Sequence, residues 1–531
     1  MKAARSVSEL QPKVNSVADV MVFLEVLGYT REDAVKHGFV DLNEVSREVY
    51  EFLDFMEAKD DAHAGSRDSY LEVPTTATRV AEGLALSFGW LGALILLFVA
   101  GVSLWLSLVL PLQIVTVFMA GLFAGLFITE GPLQGFNRFF TFYHGQANLS
   151  EAKRVLGRAY LIVGGVLSLT VAVLYALAVV TGFPLGLFEI GAATLVASAL
   201  FRVVYAIIYS LKKYTHLAVS YSLAFAVLLG VYFGLGSLIP QVTTRYFVGL
   251  GTAVTVLTAF GLYDQIEVLS GKSFRTTGET PSFFRLFSIN KNTIRSRPSV
   301  QLWENLPAYL YGASFFLLIF GDRILSWFFN PTKVAGGVKL PFVFNSVYHA
   351  GADAALFVIF PALIIQYVLM APIFAQVSNA TLEHSVDEVG GVQRFLERRY
   401  GLLMAASLIA SVLVALGLNI VYPALVSGTP YALTPTSLGI LRIASVANIL
   451  LVVFFANSAF IQFMNRMAGV AVIALVGALI VIVGGLMLVP TGFQNLEFAY
   501  LGAAATVASL STVYVLANLD RAASIFFARY M

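Results

Sequence analysis

The sequence predicts an all-α polytopic membrane protein: about 12 transmembrane helices in two six-helix lobes with pseudo-twofold symmetry, preceded by a small cytoplasmic helical unit. Three observations carry that expectation. Of 531 residues, 58% are hydrophobic and only 12% are charged, where a soluble chain carries about a quarter, and the mean hydropathy is +0.81. From Val80 onward, apolar runs follow one another, each near the length of about 20 residues that crosses the hydrocarbon. A basic motif recurs at a spacing that divides the apolar region into two sets of six runs.

Residues 1–78 are the one markedly polar region. Val17 to Leu27 is amphipathic, Thr30 with Asp33 reads as a capping box opening a second helix, and Asp41 with Glu44 starts a third. In that third helix Val45, Val49, Phe52, Leu53 and Met56 recur at helical spacing, which predicts a small core or a docking face. Ala62 to Thr78 reads as a polar, flexible linker. The N-terminus has no basic-then-apolar signal, so the first span is expected to direct insertion.

Spans are placed near Leu84–Leu106, Leu108–Glu130, Ala159–Val180, Leu185–Leu211, Leu217–Leu238, Phe247–Leu269, Pro307–Phe329, Phe342–Val377, Gly401–Val426, Ser437–Met464, Val470–Val489 and Leu496–Ala517. Residues 79–269 would form an N-lobe, 270–305 a cytoplasmic linker and 306–531 a C-lobe. Lys and Arg crowd the gaps after the second span (Arg138, Lys153, Arg154, Arg158), the sixth (Lys272 to Arg297) and the eighth (Arg394, Arg398, Arg399). The opposite gaps hold little beyond Arg245, Lys333 and Lys339. Because cytoplasmic loops carry the excess, both termini are expected in the cytoplasm and the chain in the inner membrane. Trp105 and Trp327 fall near the outer boundary and Trp303 near the inner one, as interfacial anchors would.

The motif R-x-L-x-R-x-Y opens the third span (Arg154, Leu156, Arg158, Tyr160) and precedes the ninth (Arg394, Leu396, Arg398, Tyr400), an offset of 394 − 154 = 240 residues. Both copies enter from the same side, which predicts two parallel repeats about an axis along the membrane normal. The positive-inside rule alone would supply the arginines, but not the leucine and tyrosine. Between the halves, PSFFRLFSINKNTIRSRP reads as a linker on the membrane surface, with Phe283, Phe284 and Phe287 in the interface and Arg285, Lys291 and Arg295 facing anionic membrane lipids rather than nucleic acid.

Charge inside the membrane is costly and marks pathways, gates or internal pairs. The hairpin from Leu306 to Gln376 carries Asp322, Arg323 and Asp353 in its outer half. Arg323 can snorkel outward more easily than Asp322, and antiparallel packing could bring it to Asp353, a pair expected either as a moving gate or as a static bridge that fixes register. Arg202 in the fourth span and Arg442 in the tenth are read as lining a wet cavity. Asn448, Asn457 and Gln462 share the tenth span, as cavity-facing groups or as interhelical hydrogen-bonding partners. Glu189 and Asp264 lie near the boundaries and read as solvated. Pro111, Pro361 and Pro372 favour kinks.

Other chemistries find no support. The chain has no cysteine and six scattered histidines, so neither disulfides nor a metal centre is expected. It has no G-x-x-x-x-G-K-[ST], G-x-S-x-G or H-E-x-x-H motif, so no cofactor and no catalytic residue is assigned.

Two lobes of six spans, a linker between them, and a hairpin carrying Gly321, Asp322 and Arg323 followed by Tyr348, Asp353 and Pro361 make the sequence resemble the integral-membrane subunit of the Pel exopolysaccharide exporter. That subunit is related to the multidrug, oligosaccharide-lipid and polysaccharide (MOP) flippase superfamily. Trp327, Phe328 and Phe329 match the aromatic cluster that follows the aspartate and basic residue there. The resemblance implies a non-enzymatic flippase that passes a polysaccharide or lipid-linked glycan across the cytoplasmic membrane, with a cytoplasmic glycosyltransferase as partner and an ion gradient as drive. The chain departs from that subunit in its N-terminal unit and in having Gln366 and Tyr367 where an acid often follows the proline. A membrane-embedded glycosyltransferase-type enzyme and a scaffold for a cytoplasmic complex are the alternatives.

Overall fold

The computed structural model describes residues 17–26, 29–36, 39–50 and 75–527, except 106, 108, 146–147, 212, 271–297, 333, 384–388 and 428–431. The expected interfacial stretch with Phe283, Phe284, Phe287, Arg285, Lys291 and Arg295 lies outside the described residues, as do Phe52, Leu53 and Met56. The chain divides into two units, 1–74 and 75–531.

In the first unit, helices Val17–Val26 and Arg31–Lys36 and helical residues 42–50 pack Val20, Leu24, Leu42 and Val49 into one small core. The capping box forms reciprocally, Asp33 N donating to Thr30 Oγ1 at 3.3 Å and Thr30 N to Asp33 Oδ2 at 3.1 Å.

Among its described residues the second unit holds 12 helices long and apolar enough to cross a membrane. They are α1 Thr76–Ala100, α2 Leu112–Gly145, α3 Leu149–Thr181, α4 Leu185–Ser210, α5 Tyr214–Gly234, α6 Val242–Ser270 and α7 Pro298–Phe328. Then come α8, broken into Ser346–Ala355 and Phe360–Glu383, α9 Val389–Val426, α10 Pro435–Phe463, α11 from Met467 through a π-helical turn at Ile480–Gly484 to Leu488, and α12 Leu496–Leu519. Thr75 caps α1 by accepting from Thr78 N, so the first membrane helix begins within the stretch read as linker. Polar residues can continue a helix beyond the hydrocarbon. The 34 residues of α2 span about 51 Å against a hydrocarbon of about 30 Å.

One end of the bundle carries the basic gaps and is called the basic end; the other carries residues 329–345. Within this connection Val334–Ala335 and Val338–Lys339 pair antiparallel, Val334 opposite Lys339. Gly336 and Gly337 at φ +59° and +79° allow the two-residue turn. Ala335, Leu340 and Val343 pack on Leu112, Phe183 and Leu187, tying the α7–α8 connection to α2 and α4.

One large core lies within α7–α12 around Leu451, Phe454 and Phe460; another lies in α1–α6 around Tyr205, Leu228 and Tyr246 and takes in Phe316 and Trp327 of α7. The repeated motif is used alike in both halves: Leu156 and Leu396 are buried, Tyr160 OH donates to Gln265 Oε1 at 3.1 Å and Tyr400 OH to Asn457 Oδ1 at 2.7 Å. Pro132 within α2 and Pro372 within α8 share the same offset, 372 − 132 = 240.

Along the seam between halves α2 and α7 approach closely, because a Cβ on Gly312 would sit 2.7 Å from Glu130 O. Gly312→Val should lower the unfolding midpoint in detergent by the equivalent of about 1–3 kcal/mol through overpacking. Gly417→Val, at a position with open space around it, should leave the midpoint nearly unchanged.

Candidate functional site

The site is built where a helix stops halfway. The first piece of α8 gives way to a 3-10 turn at Leu356–Val358 and the second begins at Phe360. Pro361 has no N–H to return to Phe357, so a break here sacrifices no donor, but it leaves carbonyls of the first piece without helical partners. Side chains of two other spans take them. Arg323 Nη2 of α7 donates to Ala352 O at 2.7 Å, and Asn448 Nδ2 of α10 donates to Ala355 O at 2.7 Å. A guanidinium at a helix C-terminus also meets the negative end of its dipole.

The rest of the Arg323 fork is used as fully. Nε donates to Asp353 Oδ1 at 2.8 Å, and Nη1 to Ile319 O at 2.9 Å and to Asp322 Oδ1 at 3.2 Å. Arg323 has 0% and Asp322 1% of its surface exposed. Arg323 therefore does not snorkel: carboxylates and freed carbonyls are closer than water, and the side chain turns inward. Tyr348 OH donates to Asp322 Oδ2 at 2.8 Å. Trp327 Nε1 donates to His349 Nε2 at 2.8 Å; indole nitrogen only donates, so the imidazole proton sits on Nδ1, which donates to Asp353 Oδ2 at 2.8 Å. Trp327, expected as an interfacial anchor, is instead buried in this network at 3% exposure.

Glu497, one residue into α12, completes the cluster. It is fully buried beside Tyr348, close to Asp322, Arg323 and Asp353; the single Tyr348 hydroxyl proton goes to Asp322 Oδ2, so neither Glu497 carboxylate oxygen receives a donor. Three carboxylates thus face one guanidinium. Sequence reasoning assigned no role to Glu497, which stands at a span's edge, and none to His349 beyond the absence of a metal centre; Tyr348 entered only through the hairpin resemblance. Among the described residues no group of three or more His, Cys, Asp or Glu side chains is arranged to hold a metal ion.

A cavity of about 420 Å³ lies between the halves. Trp90, Trp105, Phe201, Tyr205 and Tyr221 line it from α1–α6, and Phe315, Phe316, Phe320, Phe360 and Phe455 from α7–α10. Arg202 is on its wall with Glu130, and the two are paired at 2.5 Å. Phe320 joins cavity to network, since Arg323 stands 5.6 Å over its ring and Leu356 and Phe360 from the α8 break line the same space. Toward the basic end α1 meets α8: Arg79 Nη1 donates to Val368 O at 2.6 Å, and Tyr367 OH to Glu82 Oε2 at 2.9 Å.

Other expected positions fall elsewhere. Arg442 is exposed on the outer face of α10 and lines no part of the cavity, because Leu441, Ala444 and Ala447 occupy the inward face. Asn448 is buried and serves as a bridge, accepting from Tyr500 OH at 2.6 Å; Asn457 likewise donates to Ser511 Oγ at 2.9 Å. Asp264, read as solvated, is 0% exposed and holds Lys213 at 2.8 Å and His216 at 2.7 Å. Burial works against the Lys213 ammonium, but Asp264 and Glu267 outweigh it and hold its pKa above the ordinary lysine value. The contribution of that ion pair is therefore intact at neutral pH and is lost as pH rises through the raised value.

No protein-family model matches the chain, and no curated protein matches it. Solved structures do. A mutant MATE protein matches with a TM-score of 0.58 at 14% identity, covering 86% of this chain and 98% of that one. An outward-facing multidrug resistance MATE family transporter of the MOP superfamily gives 0.56 at 14% identity, with 85% and 97% covered. A MATE protein in complex with MaD5 gives 0.55 at 13% identity, with 85% and 96% covered. The chain is thus a multi-pass membrane protein. Its fold is the two-lobe all-α fold of MATE proteins of the MOP superfamily.

Arg323→Met should destabilise the protein by about 3–5 kcal/mol, because it strands buried carboxylates. Adding Asp353→Leu should recover part of that loss. Equilibrium unfolding of both variants and of Asp353→Leu alone completes the cycle; purely additive losses would mean that the pair does not interact.

Proposed function

We propose that the protein is an alternating-access transporter, with the aromatic cavity between its lobes as cargo site and Glu497 as the group that takes up a coupling proton. The observation that carries the reading is the shared wall. Phe320 and the α8 break border both the cavity and a buried network containing a carboxylate without a partner. A buried carboxylate without donors is satisfied by a proton or a cation, and the proton is the occupant proposed for Glu497. Protonating Glu497 removes one negative charge from beside Asp322 and Tyr348, and so alters the balance that holds Arg323 on the α8 carbonyls. The α8 break and Phe320 then transmit the change to the cavity wall.

The cargo is an amphipathic molecule with flat or ring-shaped faces. Eleven aromatic side chains, Tyr209 among them, line the cavity, while Arg202 is neutralised by Glu130, so the cavity favours face contact over charge. A single sugar unit on a lipid carrier belongs to this class, in keeping with the glycan cargo that the hairpin resemblance implies; a volume of about 420 Å³ suits one unit better than a polymer. Under the glycan version the protein works in the inner membrane with both termini cytoplasmic, and a glycosyltransferase supplies the cargo.

Reconstituted vesicles carrying a pH gradient test the reading with two probes, a labelled lipid-linked sugar and a planar aromatic dye. Wild type should move at least one of them down the proton gradient. Glu497→Gln should lose that gradient dependence by about tenfold or more, the size of a typical coupling, while retaining exchange across the membrane without a gradient. Movement of neither probe by folded wild type, or unchanged gradient dependence in Glu497→Gln, would overturn it.

A further inference from the structure

A second pocket, of about 420 Å³, lies apart from the central cavity, on the outside of the seam where α2, α3 and α7 meet. It opens outward, since Leu161 and Ile162 on its rim are 76% and 39% exposed. Its depth is set by Trp303 on α7, 73% exposed, two residues before the pocket residue Asn305. An exposed tryptophan on a spanning helix marks the level of the lipid headgroups. The pocket lies toward the basic end of the bundle.

The chemistry of the lining is specific. Arg158, the second arginine of the repeated motif, lines the pocket and offers the charge and geometry that suit a phosphate oxygen. Asn305 is 3% exposed; its Nδ2 donates to Gly135 O at 3.4 Å, while its Oδ1 is a buried acceptor with no partner. Tyr309, also in the lining, has its hydroxyl oxygen hydrogen-bonded by the same amide, which leaves Oδ1 without a partner. A buried acceptor is costly to leave unmet. A phosphodiester cannot meet it, because phosphate oxygens only accept; a neighbouring N–H or O–H can. Phe136, Leu161 and Ile162 supply apolar surface for an acyl chain.

We propose that this pocket binds a phospholipid whose headgroup carries both a phosphate, held by Arg158, and a hydrogen-bond donor, an ethanolamine ammonium or a glycerol hydroxyl, held by Asn305 Oδ1. The assignment stands apart from the transport reading. Because the pocket spans α2 and α7, such a lipid bridges the two halves.

Native mass spectrometry of the full-length protein, titrated with phosphatidylethanolamine, phosphatidylglycerol and phosphatidylcholine of identical acyl chains, tests it. The first two should bind several-fold more tightly than phosphatidylcholine, whose headgroup has no N–H or O–H. Asn305→Leu should abolish that preference while keeping binding, and Arg158→Gln should weaken all three lipids. Should Asn305→Leu fail to fold, thermal shifts of wild type decide instead, with larger stabilisation by the donor-bearing lipids expected. Equal binding and equal stabilisation by phosphatidylcholine would overturn the proposal, as would an unchanged preference in folded Asn305→Leu or unchanged affinities in Arg158→Gln.

Discussion

A guanidinium with no exposed surface must find acceptors for its N–H groups and counter-charge within the protein, and Arg323 finds both where α8 stops being an α-helix. The break is what makes the burial tolerable. An unbroken α8 would have shared the Ala352 carbonyl with its own backbone N–H, and the break frees that oxygen for Nη2. Conversely, without Arg323 and Asn448 the interrupted helix would leave carbonyls unsatisfied in the bundle interior. Each feature requires the other, so α7, α8, α10 and α12 behave as one assembly around the break.

That dependence explains the neighbouring detail. The π-helical turn of α11 places Val481 and Ile482 against Gly321, directly before the charged pair, and packs that side of α7 with aliphatic surface alone. On the other side Tyr500 reaches from α12 to Asn448 and lies 5.9 Å under Arg323, so the polar groups form one connected set. Glu497 is the exception. Every other charged member of the cluster has a hydrogen-bond partner, and a single unmet carboxylate inside an otherwise saturated network is the place where a change of protonation has most effect.

Much of the architecture was legible because composition and periodicity act over long windows. Twelve apolar runs give twelve spans, and the offset of 240 residues is repeated by Pro132 and Pro372, which the motif search did not use. The site was legible only in part. Asp322, Arg323 and Asp353 stood out as charges at membrane depth, and spacing on an antiparallel hairpin brought two of them within reach. The direction of the Arg323 side chain depended on carbonyls freed by a helix break, which one proline hints at but does not locate. Arg442 and Arg202 look alike in sequence, each a lone arginine in an apolar span. Only the packing of α10 puts the first on the outside, and only the approach of α2 gives the second its partner Glu130. Trp327 misled because, near a span boundary, sequence alone cannot tell an interfacial residue from one buried beneath a neighbouring helix, and Glu497 drew no reading for the same reason.

On the proposed transport cycle, the Arg323 network and its unmet carboxylate govern the relative placement of the two lobes. The chain contains no cysteine, so Leu238→Cys between α5 and α6 and Leu425→Cys at the end of α9, at positions 76% and 71% exposed, accept a unique pair of nitroxide labels. Double electron–electron resonance between them measures the lobe separation at the end opposite the basic loops. The account predicts two distance populations whose ratio changes with pH in the otherwise wild-type protein and is fixed at one extreme by Glu497→Gln. A single distance, indifferent both to pH and to Glu497→Gln, would contradict it.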